Sequence, residues 1–189
     1  LGIERPGEKG ITTYPIRRAR IVIESVKGWQ LAPEGGWDYL IDPELNIGYV
    51  RITQFIPQTA DDLDAAIAAM QEDQPLGGLI IDLRFNPGGL LSSAIEVSDR
   101  FISSGPLVST VDAQDNRTFE ARAKRHNVYR DFPVAVLINQ GSASASEILS
   151  GALQDYERAL IVGDRSFGKG SVQDLFPLSG GTAILKLTT

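Results

Sequence analysis

From residue 79 onwards, apolar residues form a repeating order of short continuous runs and helical stripes. Continuous runs at residues 79–83 and 134–138 predict buried strands. Each is followed by apolar positions at helical spacing, within residues 91–101 and 145–158. A further run at 159–162 predicts a third strand. Strands that alternate with helices predict an α/β domain with a mostly parallel sheet, and sites in such sheets lie at the carboxyl ends of the strands.

The first half of the chain has weaker patterns. Residues 46–53 predict another strand, and the β-branched run at 20–26 predicts a strand near the beginning. Residues 28–38 are rich in Gly and Pro and predict a connection. A helix is expected to begin at Asp61, because apolar residues follow at helical spacing and acidic residues suit the positive end of a helix.

Three other segments have patterns typical of loops and hairpins. Residues 103–131 are polar and predict a hairpin that turns near Asp115. Residues 163–170 predict a loop that leads into a strand at 171–175. Residues 183–189 resemble an incomplete strand, and the first residue is Leu rather than Met. We therefore expect this sequence to be a piece of a longer protein.

The composition is that of an ordinary globular domain, and it excludes several classes of function. The chain has 189 residues, of which 42% are hydrophobic and 22% charged, with a net charge of −6. A net negative charge argues against a nucleic-acid partner. Cysteine is absent and histidine occurs once, at His126, which argues against a structural zinc site. No apolar run reaches the roughly 18 residues of a membrane span.

A serine-rich segment, GSASASE at residues 141–147, precedes one of the predicted helices. Ser144 is expected at the start of this helix, where backbone N–H groups and the helix dipole favour a developing oxyanion. The spacing of Ser144 and Glu147 also fits a capping box, which is a structural role. Ser142 and Ser146 compete with Ser144 for the role of nucleophile.

Lys169 lies between two glycines in the sequence FGKG. His126 sits in a polar stretch and is expected at the surface, so a hydrolase built from this chain needs a base other than histidine. A lysine whose charge is disfavoured by burial can serve. The alternative is a lysine on a flexible turn. A phosphate loop is disfavoured, because the G-x-x-x-x-G-K-[ST] spacing is absent. Gln173 lies four residues further on, and its amide would reach Lys169 if the segment is extended.

The sequence NPGG at residues 86–89 lies between a predicted strand and a predicted helix. Backbone N–H groups at a helix start bind anions, so this segment is a candidate oxyanion site, and it fits a simple tight turn equally well. Asp155 is not a candidate for direct contact with the nucleophile. It follows Ser144 by eleven residues, which is about 16 Å along a straight helix.

These motifs, in this order, resemble the C-terminal processing peptidases, also called tail-specific proteases. The resemblance covers about residues 20–189. The segments that carry it are DLRFNPGGLL at 82–91, GSASASEI at 141–148, GALQD at 151–155 and FGKGSVQ at 167–173. It implies an α/β, crotonase-like core of repeated strand–helix units over residues 27–189, truncated at its C-terminal end. Residues 1–26 are expected to be the end of a PDZ domain and its link to the core.

The resemblance also implies roles for individual residues. Ser144 matches the family's nucleophile, Lys169 its general base and Gln173 the residue that positions the lysine. The backbone N–H groups of Gly88 and Ala145 match its oxyanion hole.

The implied function is that of a serine-type endopeptidase that cleaves proteins near their C-terminal tails. Its partner would be a protein or peptide with an apolar C-terminal tail, and neither a cofactor, a metal nor nucleic acid is expected. Asp155 matches an aspartate that is important in some members, and we expect it to have a supporting role. An exported location such as the periplasm rests on the resemblance alone, and membrane association of the longer protein stays open.

Two other classes of function remain as alternatives. One is a non-catalytic binding protein on the same fold. The other is an acyl-CoA enzyme of the crotonase type, which has an oxyanion hole but does not need a Ser–Lys pair.

Overall fold

The computed structural model describes residues 1–7, 10–19, 24–124, 129–178, 181 and 183–188. The predictions made for residues 20–23 and for His126 therefore lie outside the described residues. In chain order the strands are β1 (Gly2–Ile3), β2 (Thr12–Thr13), β3 (Val26–Lys27), β4 (Gln30–Leu31), β5 (Trp37–Asp38), β6 (Leu40–Asp42), β7 (Ile47–Ile52), β8 (Gly78–Asp82), β9 (Pro106–Val111), β10 (Arg117–Arg122), β11 (Val134–Ile138), β12 (Leu160–Gly163), β13 (Gln173–Pro177) and β14 (Ile184–Thr188). The helices are α1 (Thr59–Met70), α2 (Leu91–Asp99) and α3 (Ala145–Asp155).

A mixed, six-stranded sheet organises these elements. Its strand order is β12-β11-β8-β7-β3, and β6 also pairs with β7. The four strands β12, β11, β8 and β7 are mutually parallel, whereas β3 and β6 run antiparallel to β7. The prediction of an α/β domain with a mostly parallel sheet is confirmed.

The core lies between the parallel strands and the three helices. Because successive side chains of a strand point to opposite faces, every second residue of the central strands is buried against the helices. Each helix contributes an apolar stripe to the same cluster. Members of this cluster are Val50 and Ile52 of β7, Leu79 and Ile81 of β8, Val134 and Val136 of β11, Leu63 and Ile67 of α1, Ala94 and Val97 of α2, and Leu149 and Leu153 of α3.

The predicted helix boundaries need two corrections. Helix α1 begins at Thr59, two residues before the predicted start, because the Gln58 carbonyl already accepts a hydrogen bond from the Asp62 amide at 2.9 Å. Helix α3 ends at Asp155 rather than at residue 158. Glu157 adopts a left-handed φ of 50°, and the amide of the next residue bonds back to the helix, which terminates it in a Schellman motif.

Three connections also differ from or refine their predictions. The segment at residues 28–38 contains the short hairpin β4–β5, which turns at Gly35 and Gly36, both with positive φ. The hairpin predicted near Asp115 is confirmed as β9–β10. The strand predicted at residues 171–175 is β13, but it pairs with β14 and does not extend the main sheet.

The edge of the sheet formed by the carboxyl ends of the parallel strands carries the predicted motifs. Strands β8 and β11 are neighbours, and each ends in a loop that opens a helix. The loop at residues 83–90 leads to α2, and the loop at 139–144 leads to α3. The segment at 164–172, which carries the lysine motif, follows β12 at the same edge.

Candidate active site

Ser144 occupies the turn between β11 and α3 in a strained backbone conformation. Its φ is 55° and its ψ is −114°. A conformation of this kind costs a residue other than glycine about 1–3 kcal/mol and is concentrated at functional sites. Hydrolases place a nucleophilic serine on such a strand–turn–helix elbow so that its hydroxyl is exposed. The strain therefore favours a functional role for Ser144 beyond that of a helix cap.

The two serines that compete with Ser144 are buried and have structural bonds. The Ser142 hydroxyl donates to the carbonyl of Leu83 at 2.8 Å, and the Ser146 hydroxyl donates to the carbonyl of Asn86 at 3.0 Å. Both serines are 0% exposed, whereas Ser144 is partly exposed. Of the three serines, Ser144 is thus the one whose hydroxyl a substrate can reach.

The glycine loop lies against the Ser144 elbow. A Cβ atom built on Gly88, whose φ is +99°, would lie 2.7 Å from the Ala143 carbonyl oxygen and 2.9 Å from both Ala145 N and Ser144 Cβ. As the first residue of α3, Ala145 has no intrahelical acceptor for its N–H group. The Gly88 N–H group donates to Asn86 Oδ1 at 2.8 Å. The structure therefore brings the two predicted oxyanion donors together, with the Gly88 amide already bonded.

Two asparagine side chains fix the loops on either side of the elbow. Asn139 Oδ1 accepts hydrogen bonds from the amides of Phe85, at 2.9 Å, and Gly141, at 3.0 Å, and so joins one loop to the other. Asn86 Nδ2 donates to the Ile52 carbonyl at 2.8 Å, which ties the glycine loop to β7. The sequence analysis did not assign these roles. The available signal was an asparagine two residues before a glycine in both loops, which is the spacing of an Asx turn.

The lysine motif is docked onto the same elbow through its backbone and through Ser166. Four hydrogen bonds hold it: Phe167 N to Ser142 O at 2.9 Å, Ser166 Oγ to Glu147 Oε1 at 2.7 Å, Gly168 N to Glu147 Oε1 at 2.6 Å and Lys169 N to Glu147 Oε2 at 2.9 Å. Glu147 Oε2 also accepts the Ser144 amide at 2.7 Å. One carboxylate oxygen thus bonds the backbones of the predicted nucleophile and the predicted base.

Glu147 is the main feature of the site that the sequence analysis missed, since it received only a capping role there. Burial acts to raise the pKa of this carboxyl group. The hydrogen bonds from Ser166 and from the amides of Gly168, Ser144 and Lys169 outweigh that effect and hold the pKa below its usual value. The ionised carboxylate is therefore the form that the site stabilises.

The side chains of Lys169, Gln173 and Asp155 are exposed. The expected burial of Lys169 is thus not found, because its segment follows the outer strand of the sheet, and the space around Gly168 is open. The Gln173 amide donates to Thr188 Oγ1 at 3.4 Å, across the β13–β14 pair, and not to Lys169 as expected. Asp155 is the last residue of α3, at the end away from Ser144, in agreement with the argument from helix length.

A second carboxylate anchors the glycine loop from below. Asp82, at the end of β8, is 0% exposed and accepts hydrogen bonds from the Tyr49 hydroxyl at 2.6 Å and from Arg84 Nη2 at 2.7 Å. Burial acts to raise the pKa of Asp82, but the bonds from Arg84 and Tyr49 hold it below its usual value. Burial and the bond to Asp82 raise the pKa of Tyr49 to about 12.

Two other kinds of structural feature, a metal site and a membrane-spanning helix, are not found among the described residues. Within them, no group of three or more His, Asp or Glu side chains is arranged to hold a metal ion. None of the helices described above has the length and apolar character needed to cross a membrane.

Comparison with known proteins assigns a family to these features. Residues 46–189 match the model of peptidase family S41. A carboxy-terminal-processing protease of Bartonella bacilliformis is 50% identical over 149 residues, which cover 77% of this chain and 34% of that protein. The carboxy-terminal processing protease CtpB of Bacillus subtilis is 35% identical over 189 residues, which cover 100% of this chain and 37% of that protein.

A solved structure shows the same similarity in three dimensions. The photosystem II D1 C-terminal processing protease matches with a TM-score of 0.69 and 32% sequence identity, over 90% of this chain and 45% of that one. The chain therefore spans 34–37% of the length of the two curated relatives.

Proposed function

Because this chain belongs to peptidase family S41, we propose that the protein is a serine-type endopeptidase that cleaves other proteins near their C-terminal tails. The observation that carries the proposal is the shared oxygen of Glu147, which bonds the amides of Ser144 and Lys169 at 2.7 and 2.9 Å. It sets the accessible serine of the elbow beside the one lysine of the docked segment.

The proposed reaction is acyl transfer by a Ser–Lys pair. Neutral Lys169 takes the proton of the Ser144 hydroxyl as that oxygen attacks a peptide carbonyl. The N–H groups of Ala145 and Gly88 stabilise the tetrahedral oxyanion. The lysine then gives its proton to the leaving amine, and water hydrolyses the acyl-enzyme. Gly88 joins the oxyanion hole by sharing or exchanging its bond to Asn86 Oδ1.

Because the Lys169 side chain is exposed, the proposed mechanism requires the bound substrate to change the solvation of its amine. Removal of water from around a lysine amine favours its neutral form. We infer that the bound peptide covers the lysine segment and displaces this water. Gln173 would then exchange its bond to Thr188 for one to Lys169 and hold the amine towards Ser144. Asp155 has no part in this chemistry, and a supporting role at the end of α3 remains our expectation.

The finer features of the fold and setting are also proposals. We infer a crotonase-like arrangement for the core at residues 27–189 and the end of a PDZ domain for residues 1–26. The pairing of β1 with β2 in a small sheet of their own supports a separate unit. A substrate with an apolar C-terminal tail and an exported location, such as the periplasm, rest on the resemblance to C-terminal processing peptidases.

The experiment uses the full-length protein and an unfolded substrate that bears an apolar C-terminal tail. We expect the variants Ser144→Ala and Lys169→Ala each to abolish cleavage, while His126→Ala leaves it nearly unchanged. Undiminished cleavage by Lys169→Ala would overturn the assignment of the base. No cleavage by any form, with correct folding shown by circular dichroism, would favour the non-catalytic binding protein. Binding of acyl-CoA would favour the crotonase-type enzyme.

A further inference from the structure

We propose that Glu147 is a positioning residue that couples the base-bearing segment to the nucleophile elbow, an inference that rests on the proposed peptidase function. Its two oxygens accept four hydrogen bonds. One comes from Ser144 N on the elbow, and three come from Ser166, Gly168 and Lys169 on the lysine segment. Glu147 itself belongs to the first turn of α3, so one rigid helix holds both parts.

A helix cap alone does not explain this arrangement. A capping glutamate uses one oxygen to accept the N-cap amide, and here that bond is the one from Ser144. The other three bonds come from residues about twenty positions further along the chain. They serve no purpose in capping, but they fix where the segment that carries Lys169 lies.

The chemistry of the four donors requires a carboxylate. Three of them are backbone N–H groups, which cannot reverse their direction, and the fourth is the Ser166 hydroxyl. A glutamine at position 147 would have the same shape but only one accepting oxygen. Its NH₂ group would face either Gly168 N–H or the two amides of Ser144 and Lys169, so at least one bond must be lost.

The lysine segment has few other constraints that would replace these bonds. The surroundings of Gly168, with a φ of +88°, and of Gly170 are open, because among the described residues only chain neighbours come within 4 Å of a Cβ built on either glycine. Phe167 is 70% exposed. Among the described residues, the other backbone anchors of the segment are the Phe167 amide, which bonds to Ser142 O at 2.9 Å, and the Asp164 amide, which bonds to Ile138 O at 3.2 Å. Loss of the carboxylate would therefore release Lys169 while the buried elbow stays folded.

The test compares Glu147→Gln with a matched helix variant, Glu96→Gln, in the full-length protein. Glu96 is an exposed glutamate of α2, away from the candidate site. Three quantities are measured: the thermal midpoint, kcat and KM for a tailed substrate, and hydrogen exchange of the amides at residues 166–169. Ser144→Ala is included because it tests the proposed nucleophile independently of Glu147, and wild-type cleavage tests the peptidase function itself.

We expect Glu147→Gln to lower kcat about tenfold to a hundredfold with little change in KM, since the base is misplaced while the substrate still binds. Amide exchange at 166–169 should accelerate, with exchange in β8 and β11 unchanged, and Glu96→Gln should match the wild type throughout. The proposal is overturned if Glu147→Gln keeps the wild-type kcat, or if exchange at 166–169 keeps its protection. Full cleavage by Ser144→Ala would instead refute Ser144 as the nucleophile, and absence of cleavage by the wild type would refute the peptidase function. In either case the exchange data would still report on the coupling.

Discussion

The part of the candidate site that carries the proposed nucleophile Ser144 (the nucleophile half) and the part that carries the proposed base Lys169 (the base half) are built in different ways. The elbow and the glycine loop, residues 83–90 and 139–144, are fixed by polar side chains inside the protein, such as Asn86 at 1% exposure and Ser142 at 0%. The lysine segment at 164–172 lies at the surface, and among the described residues it is held through the Glu147 carboxylate and through the amides of Asp164 and Phe167. This difference indicates that the geometry of the proposed nucleophile depends on the folding core, whereas the placement of the proposed base depends on local contacts.

The same contrast appears in the two carboxylates beneath the site. Asp82 is buried in the sheet and accepts hydrogen bonds from Tyr49 of the neighbouring parallel strand β7 and from Arg84 of the glycine loop. Glu147 is only half-buried and bonds a surface segment. Removal of the first should therefore cost stability, and removal of the second should cost mainly activity.

The largest expected effect comes from a matched pair of glycine substitutions. A Cβ on Gly89 would lie 2.1 Å from the Phe55 carbonyl oxygen, and its φ is +150°, whereas a Cβ on Gly168 meets no atom within 4 Å. We expect Gly89→Ala to lower the free energy of unfolding by about 3 kcal/mol or more, through both steric overlap and backbone strain. Gly168→Ala retains only the strain of its left-handed φ, about 1 kcal/mol.

Urea denaturation of both variants measures this difference directly. If the free energy of unfolding falls equally in the two variants, the conclusion that the glycine loop is packed more tightly than the lysine segment is contradicted. A shallower unfolding slope for Gly89→Ala would show that the glycine loop had detached before global unfolding.

The sequence predicted the strand and the helix of the nucleophile half well. There the apolar spacing of each element directly flanks the serine-rich motif. The apolar run at 134–138 is strand β11 to the residue, and the helical stripe after Ser144 identified α3. The predicted end of α3, at residue 158, lies three residues beyond the observed end, because nothing in the apolar pattern indicates that Glu157 adopts a left-handed backbone conformation.

The sequence was less informative about contacts between segments that are distant in the chain. It placed Ser144 and Lys169 in one site only through motif spacing and resemblance. It assigned neither the four bonds of Glu147 nor the link from Asn139 to Phe85, because such bonds depend on which loops meet in space. Burial of Lys169 was expected from its chemistry, and the described structure leaves that side chain exposed.

A smaller effect is expected when the solution is acidified. The pKa of Asp82 and that of Glu147 are both held below their usual values in the folded protein. At pH values between the folded and the unfolded pKa, the unfolded chain therefore binds more protons than the folded protein does. The stabilisation is complete above the unfolded pKa of about 4 and is lost as the pH falls through the folded pKa. We expect Asp82, which is fully buried, to contribute about 2 kcal/mol of this loss through its charge-assisted bonds.

The measurement is the free energy of unfolding in urea at pH 7 and at pH 3, for the wild type and for Asp82→Asn. The variant should be less stable at pH 7 and should lose less on acidification than the wild type does. An identical pH dependence in the two proteins would show that the buried carboxylate does not set the acid limit. Glu147→Gln should reduce the pH dependence by a smaller amount, because its carboxylate is more exposed.

The smallest expected change in stability comes from removing an entire aromatic side chain. Phe85 has a φ of 61° and is 65% exposed, whereas Leu83, Asn86 and Gly88 of the same loop are buried. Phe85→Gly stabilises the folded protein by relieving the left-handed strain and destabilises it by adding conformational freedom to the unfolded chain. Each effect is about 1 kcal/mol, so the two nearly cancel. The free energy of unfolding should therefore stay within about 1 kcal/mol of the wild type, whereas Phe55→Ala, at 0% exposure, should cost about 3–5 kcal/mol.

The kcat and KM of Phe85→Gly then test whether the strained, exposed phenylalanine has a role in substrate binding. The ring lies over Gly141, since a Cβ on that glycine would be 2.9 Å from Phe85 Cδ1, three residues before the nucleophile. If Phe85→Gly keeps its stability but raises KM for a tailed substrate, the ring contacts the peptide. If kcat and KM are both unchanged, the strain in this loop serves no catalytic purpose, and Ser144 alone carries the argument from strain to function.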